Sequence, residues 1–182
     1  MSDRRRRFEA QALPHLDAAY NLARWLARPP LDADDIVQDA MLRAFRAFDN
    51  VRGEDVKPWL MAIVRNCFLT AVGKAKPGVH VPIPSESEIG LDESDVLVDR
   101  ADPEVAAVQG ALSRQLNSVI ATLPPDFREA LVLREMEDLS YREIARITGV
   151  PVGTVMSRLA RARALLKEKW HLSAMGGTHA MQ

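Results

Sequence analysis

Thr154, Arg158 and Arg161 recur at helical spacing, with Ser157 beside them and Gly153 just before. These side chains grip rather than cut. A guanidinium binds guanine bidentately or neutralises a phosphate. A hydroxyl donates to phosphate oxygens or meets a base edge. Gly153 lets a backbone come close to a nucleic acid. Taken alone, an Arg-rich helix is equally a solvated basic face on an ordinary helical hairpin.

The surrounding stretch, Leu139 to Lys169, has the grammar of a helix-turn-helix. Ser140 and Glu143 stand three residues apart, so they can form a capping box. Ile144, Ala145 and Ile147 give the short first helix an apolar side. Gly149 suits the left-handed residue that ends it, and Pro151 cannot continue it. The second helix is expected from Val152 to about Trp170. Val155, Leu159, Ala162 and Leu166 recur at 4, 3 and 4 residues, which puts them on one buried stripe. The basic residues lie on another face. Tyr141 to Lys169 holds seven Lys/Arg against two Asp/Glu. A basic second helix after a tight glycine turn suits a DNA major groove.

The longer string LPPDFREALVLREMEDLSYREIARITGVPVGTVMSRLARARALL, Leu123 to Leu166, resembles the minus-35 binding domain of extracytoplasmic-function sigma factors of bacterial RNA polymerase. The Leu-Pro-Pro start, the Leu-Ser-Tyr-x-Glu-Ile-Ala helix and the Gly-Thr-Val-x-Ser-Arg-Leu helix carry the likeness. The resemblance covers about residues 8–76 and 105–170. It implies that Gly153, Thr154, Ser157, Arg158 and Arg161 meet minus-35 DNA.

The helix ADDIVQDAMLRAFRAFDN follows a cap at Asp32 or Asp34. Ile36, Ala40, Leu42, Ala44, Phe45 and Phe48 read as mostly core by spacing. Acids near the start and arginines further along are what the helix dipole favours. Asp-Ile-Val-Gln-Asp followed by Leu-Arg-Ala-Phe also resembles the sigma helix that docks on the polymerase clamp. By that likeness Asp35, Gln38, Asp39 and Met41 face core polymerase.

Pro58 is expected to open the next helix, PWLMAIVRNCFLTAV. Trp59, Ile63 and Phe68 read as core, although a tryptophan could also stack on a base. The resemblance makes this helix and the preceding loop a minus-10 reader, with Arg65, Asn66 and Lys74 toward DNA. Here the chain departs from the family. An aspartate and an arginine pair are usual, and Thr70, Gly73 and Lys74 stand there instead, with Lys76 beyond.

The net charge of -1 hides an asymmetry. Residues 1–75 carry 12 Lys/Arg and 10 Asp/Glu, residues 76–108 carry 2 and 8, and residues 109–182 carry 10 and 7. The acidic block coincides with a proline-containing stretch that lacks a sustained period, which reads as a tether. Hydrophobic residues at 47% support a core, and aromatics at 5% with few alternating patterns favour helices. The expected architecture is therefore all-α, with two small helical domains joined by an extended acidic linker. Residues 1–76 would form sigma region 2, residues 77–104 the linker, 105–172 sigma region 4, and 173–182 a disordered tail. Ser2 to Arg7 reads as a frayed basic arm. A single helical path broken near Pro14 follows, and Pro29-Pro30 stops it.

Cys67 is the only cysteine and sits in an apolar run, so it reads as a structural thiol in a reducing compartment. His15, His80, His171 and His179 lie in different segments without metal-site spacing. No phosphate loop or nucleophile signature is present, so no cofactor, metal, small-molecule substrate or catalysis is expected. No stretch is long and apolar enough to insert in a membrane. The expected protein is a cytoplasmic, non-catalytic specificity subunit. Its partners are core RNA polymerase, promoter DNA and an anti-sigma factor. Two other functions fit parts of the chain. One is a sigma-like decoy that binds an anti-sigma protein; the other is a simple helix-turn-helix regulator.

Overall fold

The computed structural model describes residues 3–28, 31–51, 56–73 and 103–176. All regular structure among them is helical. In chain order the helices are α1 (Asp3–Gln11), α2 (Leu16–Leu26), α3 (Ala33–Ala47), α4 (Val56–Ala71), α5 (Pro103–Ala121), α6 (Pro125–Leu131), α7 (Tyr141–Thr148) and α8 (Val152–Gly176). The linker expected over 77–104 lies outside the described residues except for its last two, which open α5. Lys74, Lys76 and the 177–182 end also lie outside them, as does the Pro29-Pro30 stop.

Helices α2, α3 and α4 pack on one another. Leu22, Ala23, Ile36, Ala40, Ala44, Leu60, Met61 and Val64 fill their centre and are buried. The break at Pro14 is a single 3-10 turn, Leu13–His15, which redirects the chain between α1 and α2. Asp32 is the α3 cap, its side chain accepting from the Asp34 amide at 2.9 Å. Helix α4 begins two residues ahead of Pro58. Proline is tolerated there because first-turn amides have no intrahelical acceptor.

The arginine run is not a frayed arm. Residues from Asp3 onward form α1, which lies against the end of α3. Phe8 is buried and meets the Phe45 and Phe48 rings edge-to-face at 5.2 and 5.3 Å. Arg4 donates to the Phe45 and Arg46 carbonyls, pairs with Asp49 at 3.2 Å and lies over the Phe45 ring. It thereby serves the open carbonyls and negative end of α3. Arg7 covers Phe48. Trp59 packs beside Phe48 at 6.3 Å, so it is a packed anchor.

In the second half α6 and α7 pack on α8, and α5 packs along α8. Val119, Ile120 and Leu123 are buried, but Leu112 and Leu116 are 50% and 38% exposed. The apolar side of α5 is thus only partly covered. Helix α6 runs into a π-helical turn, Val132–Met136. Asp138 follows with φ 53 and turns the chain toward α7. Helix α8 continues to Gly176, past the expected tail boundary at residue 173. Leu172, Ala174 and Met175 are helix formers, and the Ser173 hydroxyl donates to the Trp170 carbonyl and accepts from Gln115.

The halves are packed against each other. Helix α4 lies on α7, and α2 lies on α6 and the π turn. Leu22, Leu60 and Val64 belong to one continuous apolar cluster with Leu133, Leu139, Ile144 and Ile147.

Candidate nucleic-acid and polymerase interfaces

The helix-turn-helix follows from local rules. The Ser140 side chain accepts from the Glu143 amide at 3.3 Å, and the Glu143 carboxylate accepts from the Ser140 amide at 2.7 Å. Both halves of the capping box are therefore formed. The hydrogen bonds from Ser140 hold the Glu143 carboxyl below its ordinary range. Gly149 ends α7 with φ 70 and ψ 25, and its amide returns to the Ala145 carbonyl at 2.9 Å. A residue with a Cβ is strained there. Val155, Leu159 and Ala162 are buried as the stripe requires, and Leu166 is half-buried beside Ala162.

That seating turns Gly153, Ser157 and Arg161 to solvent. Thr154 is half-buried, and its carbonyl accepts from the Ser157 hydroxyl at 2.9 Å. Arg158 leans back and pairs with Asp126 in the first turn of α6 at 2.7 Å. Val152 and Met156 are 38% and 53% exposed on the same end of α8. The sequence reading left them out. Their spacing, one turn apart and off the buried stripe, could have found them. Such apolar side chains can meet a thymine methyl.

On α3 the buried side is Ile36, Val37, Ala40 and Ala44. Asp35 and Gln38 are exposed, and Asp39 is half-exposed. Asp39 and Arg43 form a two-pronged pair at 3.0 and 2.9 Å, which holds the Asp39 carboxyl below its ordinary range. Met41 is half-buried and packs on the core. Leu42, expected in the core, is 53% exposed. It lies seven residues after Asp35, so it shares the face of Asp35, Gln38 and Asp39. Cys67 is buried beside Asp39, and burial pushes its thiol up to about 11.

On α4, Asn66 is exposed and its carbonyl accepts from the Thr70 hydroxyl at 2.8 Å. Arg65 points the other way, to the second half of the molecule. Its Nε lies 2.6 Å from Oε1 of Glu129 on α6. Burial raises the Glu129 carboxyl while Arg65 pulls it down, with burial the larger effect. The expected partners Arg65, Asn66 and Lys74 are therefore not gathered on one described surface.

A family model for sigma-70 region 2 matches residues 13–77, and one for sigma-70 region 4 matches residues 113–166. The chain is 37% identical over 152 residues to the ECF RNA polymerase sigma-E factor of Haemophilus influenzae, covering 81% of this chain and 78% of that protein. This chain belongs to the ECF sigma factors. The sigma-E factor of Escherichia coli K12 is also 37% identical, over 78% of this chain and 75% of its own. Among solved structures, the sigma factor RpoE of Bartonella quintana, in complex with the anti-sigma factor NepR, aligns with a TM-score of 0.63 at 27% identity. That alignment covers 88% of this chain and 94% of RpoE. CnrH, solved with the cytosolic domain of CnrY, aligns at 0.61 and 25% identity over 92% and 90%. As an ECF sigma factor the chain directs RNA polymerase to promoters. Among the described residues no helix is long and apolar enough to cross a membrane.

Proposed function

We propose that this sigma factor works as a non-catalytic, cytoplasmic specificity subunit with two separate working faces. The observation that carries the reading is that one chain holds a capped helix-turn-helix with an outward basic helix and, on α3, a separate exposed polar face away from that helix. A simple DNA-binding regulator has no use for the second face.

Residues 1–76 act as the polymerase-docking and minus-10 unit, with Asp35, Gln38 and Asp39 on the clamp and Met41 supporting them from beneath. Arg65, Asn66 and Lys74 serve the minus-10 strand. Residues 105–172 act as the minus-35 unit. There Gly153, Thr154, Ser157, Arg158 and Arg161 approach the major groove, and residues 77–104 connect the two. An anti-sigma factor holds the chain inactive, a reading supported by the likeness to RpoE, which was solved with the anti-sigma factor NepR. Run-off transcription with core polymerase tests the reading. The chain should support initiation from a subset of promoters. No transcript from any promoter, with core binding intact, would sink it.

A further inference from the structure

The outward side of α8 is divided in two. Thr154, Arg158 and Arg161 run along one flank, which meets α6 where Arg158 pairs with Asp126 at 2.7 Å. Val152, Met156 and Ala160 follow one another at four-residue steps along the other flank, and all three are exposed. Gly153 and Ser157 form the ridge between the flanks.

Singly exposed apolar side chains are ordinary on protein surfaces. Val152 and Met156 are placed differently. They are 38% and 53% exposed, one turn apart, with cations on both sides. Arg142 and Arg146 of α7 share a shallow hollow with Val152, and Arg161 stands in solvent across the ridge. Further along the apolar flank, Arg163 is engaged by Glu135 at 2.6 Å. The ridge is bare backbone at Gly153. A Cβ there would meet no atom within 4 Å. The chain's own packing therefore does not call for glycine, which is a poor helix former. A molecule approaching from outside gives it a reason. Bare backbone and two apolar side chains among arginines match the DNA major groove, where thymine is the base that presents a methyl group.

We propose that Met156, with Val152 beside it, is a specificity determinant that selects thymine in the minus-35 element by packing on its C5 methyl. The inference rests on the assignment of α8 to minus-35 DNA. The two flanks then divide the work: the arginine flank takes guanine or phosphate, and the apolar flank takes the methyl. The unbranched thioether of Met156 adapts its shape to that methyl. Covering one methyl group is worth about three- to fivefold in affinity.

The test uses the full chain assembled with core polymerase. Duplex promoters with a randomised minus-35 segment are first selected for binding. Each thymine of the selected site is then replaced by deoxyuridine, which keeps the base pair and lacks only the methyl. At one thymine, or two neighbours, the parent should lose about three- to fivefold in affinity. Met156→Ala should bind the thymine and deoxyuridine duplexes equally, and Met156→Leu should restore the difference. Met156 is exposed, so melting temperatures should match the parent. A selected site without thymine overturns the proposal. So does a methyl effect that is the same in the parent and Met156→Ala. Either result leaves α8 as the DNA reader, provided Arg161→Ala weakens binding to the selected site. If no minus-35 sequence is selected at all, the DNA assignment of α8 fails and this inference falls with it.

Discussion

Arg158 on α8 is bound to Asp126 at the start of α6, Nη2 to Oδ2 at 2.7 Å. The pair ties the proposed recognition helix to the scaffold beneath it. Arg158 therefore has a scaffold contact beside its proposed DNA contact, while Arg161, one turn on, stands in solvent. Arg161→Ala should weaken binding of the holoenzyme to minus-35 DNA by about 1–3 kcal/mol and leave thermal stability unchanged. Arg158→Ala should lower both. Asp126→Ala should free Arg158 and cost stability without abolishing DNA binding. Gel-shift and melting measurements on the three variants check this. Identical stability in all three would remove the scaffold role.

The α3 face gives a second expectation. Asp35→Ala with Gln38→Ala should weaken core polymerase binding, and Leu42→Ala should do the same. Leu42 lies exposed among polar neighbours, so its removal leaves no cavity. Circular dichroism should be unaltered. Unchanged affinity in a pull-down would reduce these charges to ordinary helix-end electrostatics.

Acid should act on α7. A carboxyl held below its ordinary range contributes stability that is present at neutral pH. That stability is lost as pH falls through and below the usual glutamate range of about 4 to 5. Glu143 is such a group. Glu143→Gln should flatten the acid limb of the stability profile, and Ser140→Ala should cost about 1 kcal/mol at pH 7. An acid limb that is the same in Glu143→Gln would show that the capping box does not titrate with folding.

Cys67 should be inert. Its thiol is buried beside Asp39 and pushed up to about 11, so little thiolate exists at pH 8. Iodoacetamide should modify it only in denaturant. Rapid labelling of the folded chain would contradict the packing of α4 on α3.

Local chemistry was the legible part of the sequence. The Ser140–Glu143 box, the left-handed Gly149 and the Val155–Leu159–Ala162 stripe each depend on residues within two turns, so their spacing announces them. Leu42 was also legible: its apolar type argues for the core, but its distance from Asp35 places it on the polar face. Arg4 was not. It serves carbonyls 41 and 42 positions away, and no local rule connects a basic run to a distant helix end. The same holds for Arg65 and Glu129, 64 positions apart. The likeness to sigma factors placed Arg65 toward DNA, and no short-range pattern reports which carboxylate a cation meets when two domains close.

The apolar cluster that runs through both halves has a price for any partner. Drawing α4 off α7 would bare Ile144, Ile147 and their α4 neighbours to water, and a contiguous apolar patch invites association with whatever is near. A chain so opened would be short-lived unless another surface covered that patch, so the cluster ties solubility to the packing of α4 on α7.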